Sequence, residues 1–213
     1  MKKYLAEFTG TFALVFCGTG AVIVDQQSGG SLGLLGISAT FGITITAMIY
    51  IFGSISGTHI NPAVTISLAI ARLMQKNDIL GYLTGQILGA ISASLLLSIL
   101  FPDAISFGET TPSGTLIQSF AIEFILTFFL MLTILSTTSK KEFSTTSGII
   151  IGVFVTGIII FAGPISGGSF NPARSIAPAI ISGSTSTLWI YITAPTLGAI
   201  LSVFVWKYFR CKE

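Results

Sequence analysis

The sequence contains the triplet Asn-Pro-Ala twice, which places two identical sets of polar and helix-starting residues far apart in the chain. The residues are Asn61, Pro62, Ala63, Asn171, Pro172 and Ala173. Proline suits the first turn of a helix, where its missing amide hydrogen has no helical partner anyway, and asparagine is a frequent N-cap. Each asparagine amide can also donate a hydrogen bond to the oxygen of a passing molecule. Alternatively, both asparagines are ordinary helix caps whose amides bind no such molecule.

Four titratable side chains stand within or beside apolar sequence. Glu7 and Glu123 begin the similar segments EFTGTFAL and EFILTFFL. In a membrane, such carboxylates either relay protons in a transporter or accept hydrogen bonds that hold a loop in shape. Arg174 follows the second triplet, where a cation is costly unless it faces water or an ion-pair partner. His59, the only histidine, lies two residues before Asn61. It either lines a path through the protein or is a buried hydrogen-bonding group, and one histidine supplies no metal site.

The composition shows which elements must position these residues. Hydrophobic residues make up 52% of the 213 residues and charged residues only 8%, whereas soluble domains carry roughly a quarter charged residues. This indicates a multi-pass membrane protein embedded in a lipid bilayer. The net charge of +2, with basic residues scattered singly or in pairs, excludes nucleic acid as a partner.

Six apolar stretches are long enough to cross a bilayer, which takes about 20 residues per helix. They cover residues 4–24, 33–53, 79–101, 115–136, 147–163 and 187–208. Two shorter stretches, 61–72 and 171–182, each begin with one triplet and are predicted half-helices. The fold class is therefore an all-α membrane protein with six transmembrane helices and two re-entrant half-helices.

The basic residues predict the orientation of the chain, since cytoplasmic loops are enriched in lysine and arginine. In a six-span threading, nine of them fall on one side: Lys2, Lys3, Arg72, Lys76, Lys140, Lys141, Lys207, Arg210 and Lys212. The opposite loops, near 25–32 and 102–114, contain acidic residues and no basic ones. Both termini are therefore predicted to be cytoplasmic, and the half-helices to enter from opposite sides.

The two halves of the chain resemble each other. Residues 55–71 (ISGTHINPAVTISLAIA) align without gaps with 165–181 (ISGGSFNPARSIAPAII). Three spans per half force the halves into opposite orientations, as in inverted-repeat membrane proteins. We predict one repeat over 1–106 and a second over 107–213.

The segments before the half-helices, 54–60 and 164–170, are predicted to be non-helical. Such backbone is tolerated at membrane depth only where it is buried in protein or lines a water-filled path. The N-termini of the two half-helices would bring partial positive charge to the centre of that path. Cations and protons should be repelled there.

Paired Asn-Pro-Ala motifs, the second followed by Arg174 and Ser175, in a six-span repeat resemble the aquaporin or major intrinsic protein family. The resemblance covers nearly the whole chain. It implies homotetramers with one pore per subunit, passive conduction without a cofactor, and Asn61 and Asn171 meeting in mid-pore. It also favours loop support over proton relay for Glu7 and Glu123.

Carried over by distance from the motifs, the constriction of the family falls on Phe41, Ile159, Gly168 and Arg174. Strict water channels of the family carry histidine where this sequence has Ile159, so a wider and more apolar opening is implied. The segment SGGSFNPARS and Trp189, Tyr191, Ile192 and Pro195 resemble the nodulin-like branch, which passes glycerol, urea or metalloid hydroxides. Ser175 departs from typical glycerol facilitators, which have aspartate there.

The leading hypothesis is thus a passive channel for water and small uncharged solutes. Three alternatives remain open at this point: a strictly water-selective channel, a proton-coupled secondary transporter using Glu7 and Glu123, and a purely structural membrane protein. An enzyme is not expected, because no nucleophile, base and orienting group are arranged together and there is no metal-ligand cluster.

Overall fold

The computed structural model describes residues 1–139 and 145–210. Within these residues the regular structure is helical, with six long helices and two short ones. They are α1 (Lys2–Gln27), α2 (Gly33–Ser56), α3 (Pro62–Ala71), α4 (Ile79–Leu100), α5 (Leu116–Thr138), α6 (Ser147–Ser166), α7 (Pro172–Ser182) and α8 (Leu188–Arg210). A single 3₁₀ turn, Lys76–Asp78, precedes α4. The predicted all-α class with six spans and two half-helices is confirmed.

The outer surface of the bundle is apolar, as expected for a protein surrounded by lipid. Large side chains such as Ile43, Leu80, Val153, Phe161 and Phe204 expose more than half of their surface. The six long helices are each apolar enough to cross a bilayer. An exposed apolar belt of this extent would cause a soluble protein to associate, so the chain is a multi-pass membrane protein.

Close helix crossings hold the bundle together, among them those of α1 with α4 and of α5 with α8. Where α1 crosses α4, a Cβ atom added at Gly89 would overlap the backbone carbonyl of Phe8. Where α5 crosses α8, a Cβ at Gly198 would overlap the carbonyl of Phe124 in the same way. Glycine at these positions lets the helix backbones touch, which is how membrane helices gain packing energy.

The half-helices α3 and α7 contain 10 and 11 residues. At 1.5 Å per residue each is only about half as long as the hydrocarbon core is thick. The helix α3 packs against α4 and α8, α7 packs against α1, α4 and α8, and the two contact each other. Both are therefore enclosed by the long helices.

The non-helical stretches before the half-helices are shorter than the sequence predicts. The sequence predicts that they begin at residues 54 and 164, but α2 continues to Ser56 and α6 to Ser166. Gly57 and Gly167, both with φ of 82°, cap the C-terminal ends of these two helices. Glycine in the left-handed conformation is the commonest helix stop, and Pro164 is accommodated inside α6.

The division into repeats at 1–106 and 107–213 and the cytoplasmic placement of the termini stay predictions. Of the basic residues used for that orientation, Lys140, Lys141 and Lys212 lie outside the described residues.

Candidate functional site

The two asparagines of the triplets meet in the interior of the bundle. Each caps its half-helix through the side-chain oxygen, which accepts a hydrogen bond from the backbone N–H of Ala63 (2.9 Å) or Ala173 (3.0 Å). Each side-chain nitrogen donates across the centre: Asn61 Nδ2 to the Phe170 carbonyl and Asn171 Nδ2 to the Ile60 carbonyl, both at 2.8 Å. An amide has two hydrogens, so one donor on each asparagine is left over from this reciprocal contact.

The loops that lead into the half-helices share an unusual backbone conformation. Ile60 and Phe170, directly before the asparagines, have φ of 42° and 54°. Two residues earlier, Thr58 and Gly168 have φ of 50° and 59°. Positive φ is strained for any residue with a side chain, most of all for a β-branched one such as isoleucine. Something must therefore hold both loops in place.

The two buried carboxylates provide that hold. Glu7 accepts hydrogen bonds from the backbone N–H groups of His59 (2.9 Å) and Ile60 (2.7 Å). Glu123 accepts from those of Ser169 (2.9 Å) and Phe170 (2.7 Å). Both carboxylates are 0% exposed. The structure thus places each glutamate against the strained loop of its own half of the chain.

Two tyrosines complete the support of the loops, and the sequence reading did not find them. The hydroxyl of Tyr82 donates to the carbonyl of Ser56, and that of Tyr191 donates to the carbonyl of Ser166, both at 2.7 Å. A signal was available, because YLTGQILG from Tyr82 to Gly89 resembles YITAPTLG from Tyr191 to Gly198. Extending the repeat alignment into the third span of each half would have paired them.

Arg174 lies in the first turn of α7 and is 4% exposed. Its Nη1 donates to the carbonyl of Gly108 at 2.6 Å, and its guanidinium lies 5.2 Å from the centre of the Phe41 ring. Its Nε is buried and has no hydrogen-bond partner among the described residues. No salt bridge to Arg174 is found in that part of the chain either, so the alternative of a structural ion pair is not supported.

The contact with Gly108 brings the loop between α4 and α5 into the site. Sequence reasoning missed this residue, because a backbone carbonyl leaves no mark in the sequence. Its φ of 74° and the closeness of Thr19, whose Cβ would lie 2.8 Å from an added Cβ atom, leave room only for glycine.

The remaining predicted constriction residues lie near this arginine. Phe41 and Ile159 share a cavity wall with Arg174. Gly168 lies beside them, since a Cβ atom added there would be 3.6 Å from the Ile159 Cγ2 atom. The structure thus brings the four predicted residues together; their part in selecting solutes stays a prediction.

A cavity of about 480 Å³ runs from Arg174 and Phe41 past both asparagines to the ends of α5, α6 and α8. Most of its wall is apolar, including the aliphatic side chains of Leu14, Ile45, Ile49, Val64, Leu68, Leu130, Ile134, Ile151, Val155 and Ile159. Polar groups come from the two loops, the asparagines and Arg174, and at the far end from Thr138, Ser139, Ser147 and Arg210. An apolar passage with a few fixed donors and acceptors lets a small polar molecule pass without binding it tightly.

His59 lies on the wall of this cavity and is half-buried. Its Nδ1 is 3.1 Å from the Thr65 hydroxyl, and its ring is 4.8 Å from that of Tyr82. It therefore both faces the cavity and takes part in a side-chain network, and no metal-binding cluster is found among the described residues.

Comparison with known proteins identifies the family. Residues 1–206 match the model of the major intrinsic protein family. The chain is 42% identical to aquaporin NIP2-1 of Arabidopsis thaliana, covering 97% of this chain and 75% of that protein. It is 43% identical to glycerol uptake facilitator protein-like 6 of Lactiplantibacillus plantarum, covering 96% of each.

A solved structure has the same fold. The X-ray structure of the aquaglyceroporin from Plasmodium falciparum superimposes with a TM-score of 0.90 over 99% of this chain and 97% of that one, at 23% identity. The predicted family resemblance is confirmed. The chain is a member of the major intrinsic protein family.

Proposed function

We propose that this protein is a passive transmembrane channel that conducts water and small uncharged solutes such as glycerol and excludes protons and ions. The family consists of channels rather than enzymes, in agreement with the prediction that the chain is not an enzyme. The observation that carries the proposal is the pair of asparagine-capped half-helices whose N-termini meet at one cavity.

The proposed exclusion of cations follows from the charge at this meeting point. The N-terminus of each half-helix carries about half a positive elementary charge, and Arg174 adds a full one farther along the cavity. A dehydrated cation would be repelled at both places, whereas a neutral molecule would not. The asparagine donors also orient a water molecule by its oxygen, which disfavours a continuous proton-conducting chain.

The contacts of the glutamates weaken the transporter alternative. Glu7 and Glu123 are fully buried and engaged by backbone N–H groups. Neither is among the residues that line the cavity. A proton-relay carboxylate needs access to solvent, so support of the loops is the role that fits these contacts.

The proposed solute range rests on the constriction. Near Arg174, Ile159 offers an apolar side chain and the adjacent Gly168 a bare backbone, and we infer that these two residues admit a carbon-bearing solute. One relative supports this range by name, the glycerol uptake facilitator protein-like 6. Urea and metalloid hydroxides of similar size belong to the same proposal, and a strictly water-selective channel is the competing outcome.

The double substitution Ile159→His and Gly168→Thr is expected to convert the pore toward water selectivity. The two larger polar side chains fill the open side of the constriction, so glycerol and urea fluxes fall by about tenfold or more while water flux is largely kept. Threonine is tolerated at this backbone conformation, since Thr58 has φ of 50° at the matching position. Stopped-flow light scattering of proteoliposomes measures all three fluxes.

A suitable control is Gly157→Thr, because Gly157 is exposed and an added Cβ atom there meets nothing within 4 Å. It should leave every flux unchanged. Wild-type protein that passes water but no detectable glycerol, urea or neutral arsenite would show that the channel is strictly water-selective. Solute uptake that requires a pH gradient would instead establish a proton-coupled transporter.

The proposal includes an arrangement in the membrane. We propose that both termini are cytoplasmic, because the positive-inside rule favours that side for the basic residues Lys2, Lys3, Arg72, Lys76, Lys207 and Arg210. Family membership favours a homotetramer in the cell membrane. Cysteine labelling at the termini and the mass of the purified protein in detergent test these two points.

A further inference from the structure

In each half of the chain, a hydroxyl group on the half-helix links the loop before that helix to another structural element. The element differs between the two halves. In the first half, the Thr65 hydroxyl oxygen is 3.1 Å from His59 Nδ1. The same oxygen accepts a hydrogen bond from Gln86 Nε2 of α4 at 2.8 Å. Thr65 and His59 lie four residues after and two residues before Asn61. This network ends on a transmembrane helix.

In the second half, the matching positions are Ser175 and Ser169, whose hydroxyl oxygens are 2.5 Å apart. The partner that corresponds to Gln86 comes from a different element. It is Thr110, whose Oγ1 is 2.7 Å from the Ser175 Oγ, and Thr110 lies in the loop between α4 and α5. Proline occupies the position of Gln86 in the second half, at Pro195, and offers no side-chain donor.

This difference ties the loop to the constriction. Thr110 is only two residues beyond Gly108, whose carbonyl accepts the bond from Arg174 Nη1 at 2.6 Å. Thr110 and Ser175 are 4% and 0% exposed. Ser175 in turn directly follows Arg174 in α7. The hydroxyl bridge and the arginine contact thus fasten the same short piece of loop to the same helix turn.

On the basis of the proposed channel function, we propose that Thr110 and Ser175 are positioning residues that set solute selectivity. Their hydroxyl bridge fixes the Gly108 carbonyl, and this carbonyl keeps the guanidinium of Arg174 against the wall. A buried guanidinium that loses its acceptor seeks another, and water and solutes in the cavity offer the accessible oxygens. Without the bridge, Arg174 turns toward the opening and obstructs glycerol more than water.

The test compares Thr110→Val, which removes the hydroxyl at nearly constant shape, with Thr110→Ser, which keeps it. In proteoliposomes, Thr110→Val and Ser175→Ala should lower the glycerol-to-water permeability ratio by about threefold to tenfold, the rate change that one hydrogen bond represents. Thr110→Ser should restore the wild-type ratio. Thr127→Val is the matched control, because that hydroxyl is also buried and, among the described residues, bonds only to the backbone carbonyl of Glu123 within α5.

A purely structural role would lower the amount of folded protein and leave this ratio unchanged in the protein that does fold. The inference is overturned if the ratio stays at the wild-type value in folded Thr110→Val, or if Thr127→Val changes it equally. Wild type that passes no glycerol refutes the solute part of the proposed function instead. The hydroxyl bridge is then judged by water permeability, which Thr110→Val lowers about threefold if the bridge positions Arg174 and leaves unchanged if it does not.

Discussion

Replacing Glu123 with alanine is expected to destabilise the folded protein strongly. The substitution leaves the N–H groups of Ser169 and Phe170 without their acceptor in the interior of the bundle. Each unsatisfied buried donor costs about 1–3 kcal/mol, a large share of a total stability of about 5–15 kcal/mol. The strained backbone at Phe170, with φ of 54°, is then free to relax. Thermal unfolding in detergent should show a midpoint lower by roughly 5–20 °C.

Two variants separate this effect from a simple loss of charge. Glu123→Gln retains one oxygen that can accept from Ser169 but turns an NH₂ group toward the N–H of Phe170, so its unfolding midpoint should be intermediate. Asp103→Ala removes an exposed carboxylate from the loop between α4 and α5 and should leave the midpoint unchanged. A Glu123→Ala protein with wild-type yield, stability and flux would show that the carboxylate does not support the loop.

Much of the fold could be predicted because its causes are local or periodic. Span length follows from the thickness of a bilayer, and the half-helices begin where Asn61 and Asn171 make a cap next to proline. The close placement of the two caps followed from the repeat and the family resemblance. The structure adds the two reciprocal hydrogen bonds, which the side-chain amides of Asn61 and Asn171 donate to backbone carbonyls.

The features that sequence reasoning missed depend on backbone conformation or on distant contacts. The positive φ of Ile60 and Phe170 is unfavourable for these residue types and exists only because a glutamate from another helix compensates it. The contact of Gly108 with Arg174 joins residues that are remote in sequence through a main-chain atom. Local sequence preferences predict neither the positive φ values nor the contact of Gly108 with Arg174. Both features become visible only in the folded structure.

Replacing Arg174 with alanine is expected to leave the fold intact but weaken the selectivity of the pore. Arg174 contacts one carbonyl and one aromatic ring and has no ion-pair partner among the described residues, so few structural contacts are lost. Two unit positive charges about 4 Å apart, such as the guanidinium and a permeating cation, repel each other by about 4 kcal/mol at an effective dielectric constant near 20. Removing the charge of Arg174 should therefore raise proton and cation leakage by about tenfold or more. Glycerol flux should also rise, because the opening widens.

Arg174→Lys distinguishes the effect of charge from that of size. Lysine keeps the positive charge but lacks the planar fork that can donate to Gly108 while lying along Phe41. It should retain most of the barrier to cations and change the glycerol-to-water ratio. The positive ends of α3 and α7 remain in both variants, so leakage through Arg174→Ala should stay well below that of an unrestricted pore. A pH-sensitive dye and a potassium electrode record the two leaks in proteoliposomes. Folded Arg174→Ala protein with wild-type ion exclusion would assign the cation barrier to the half-helices alone.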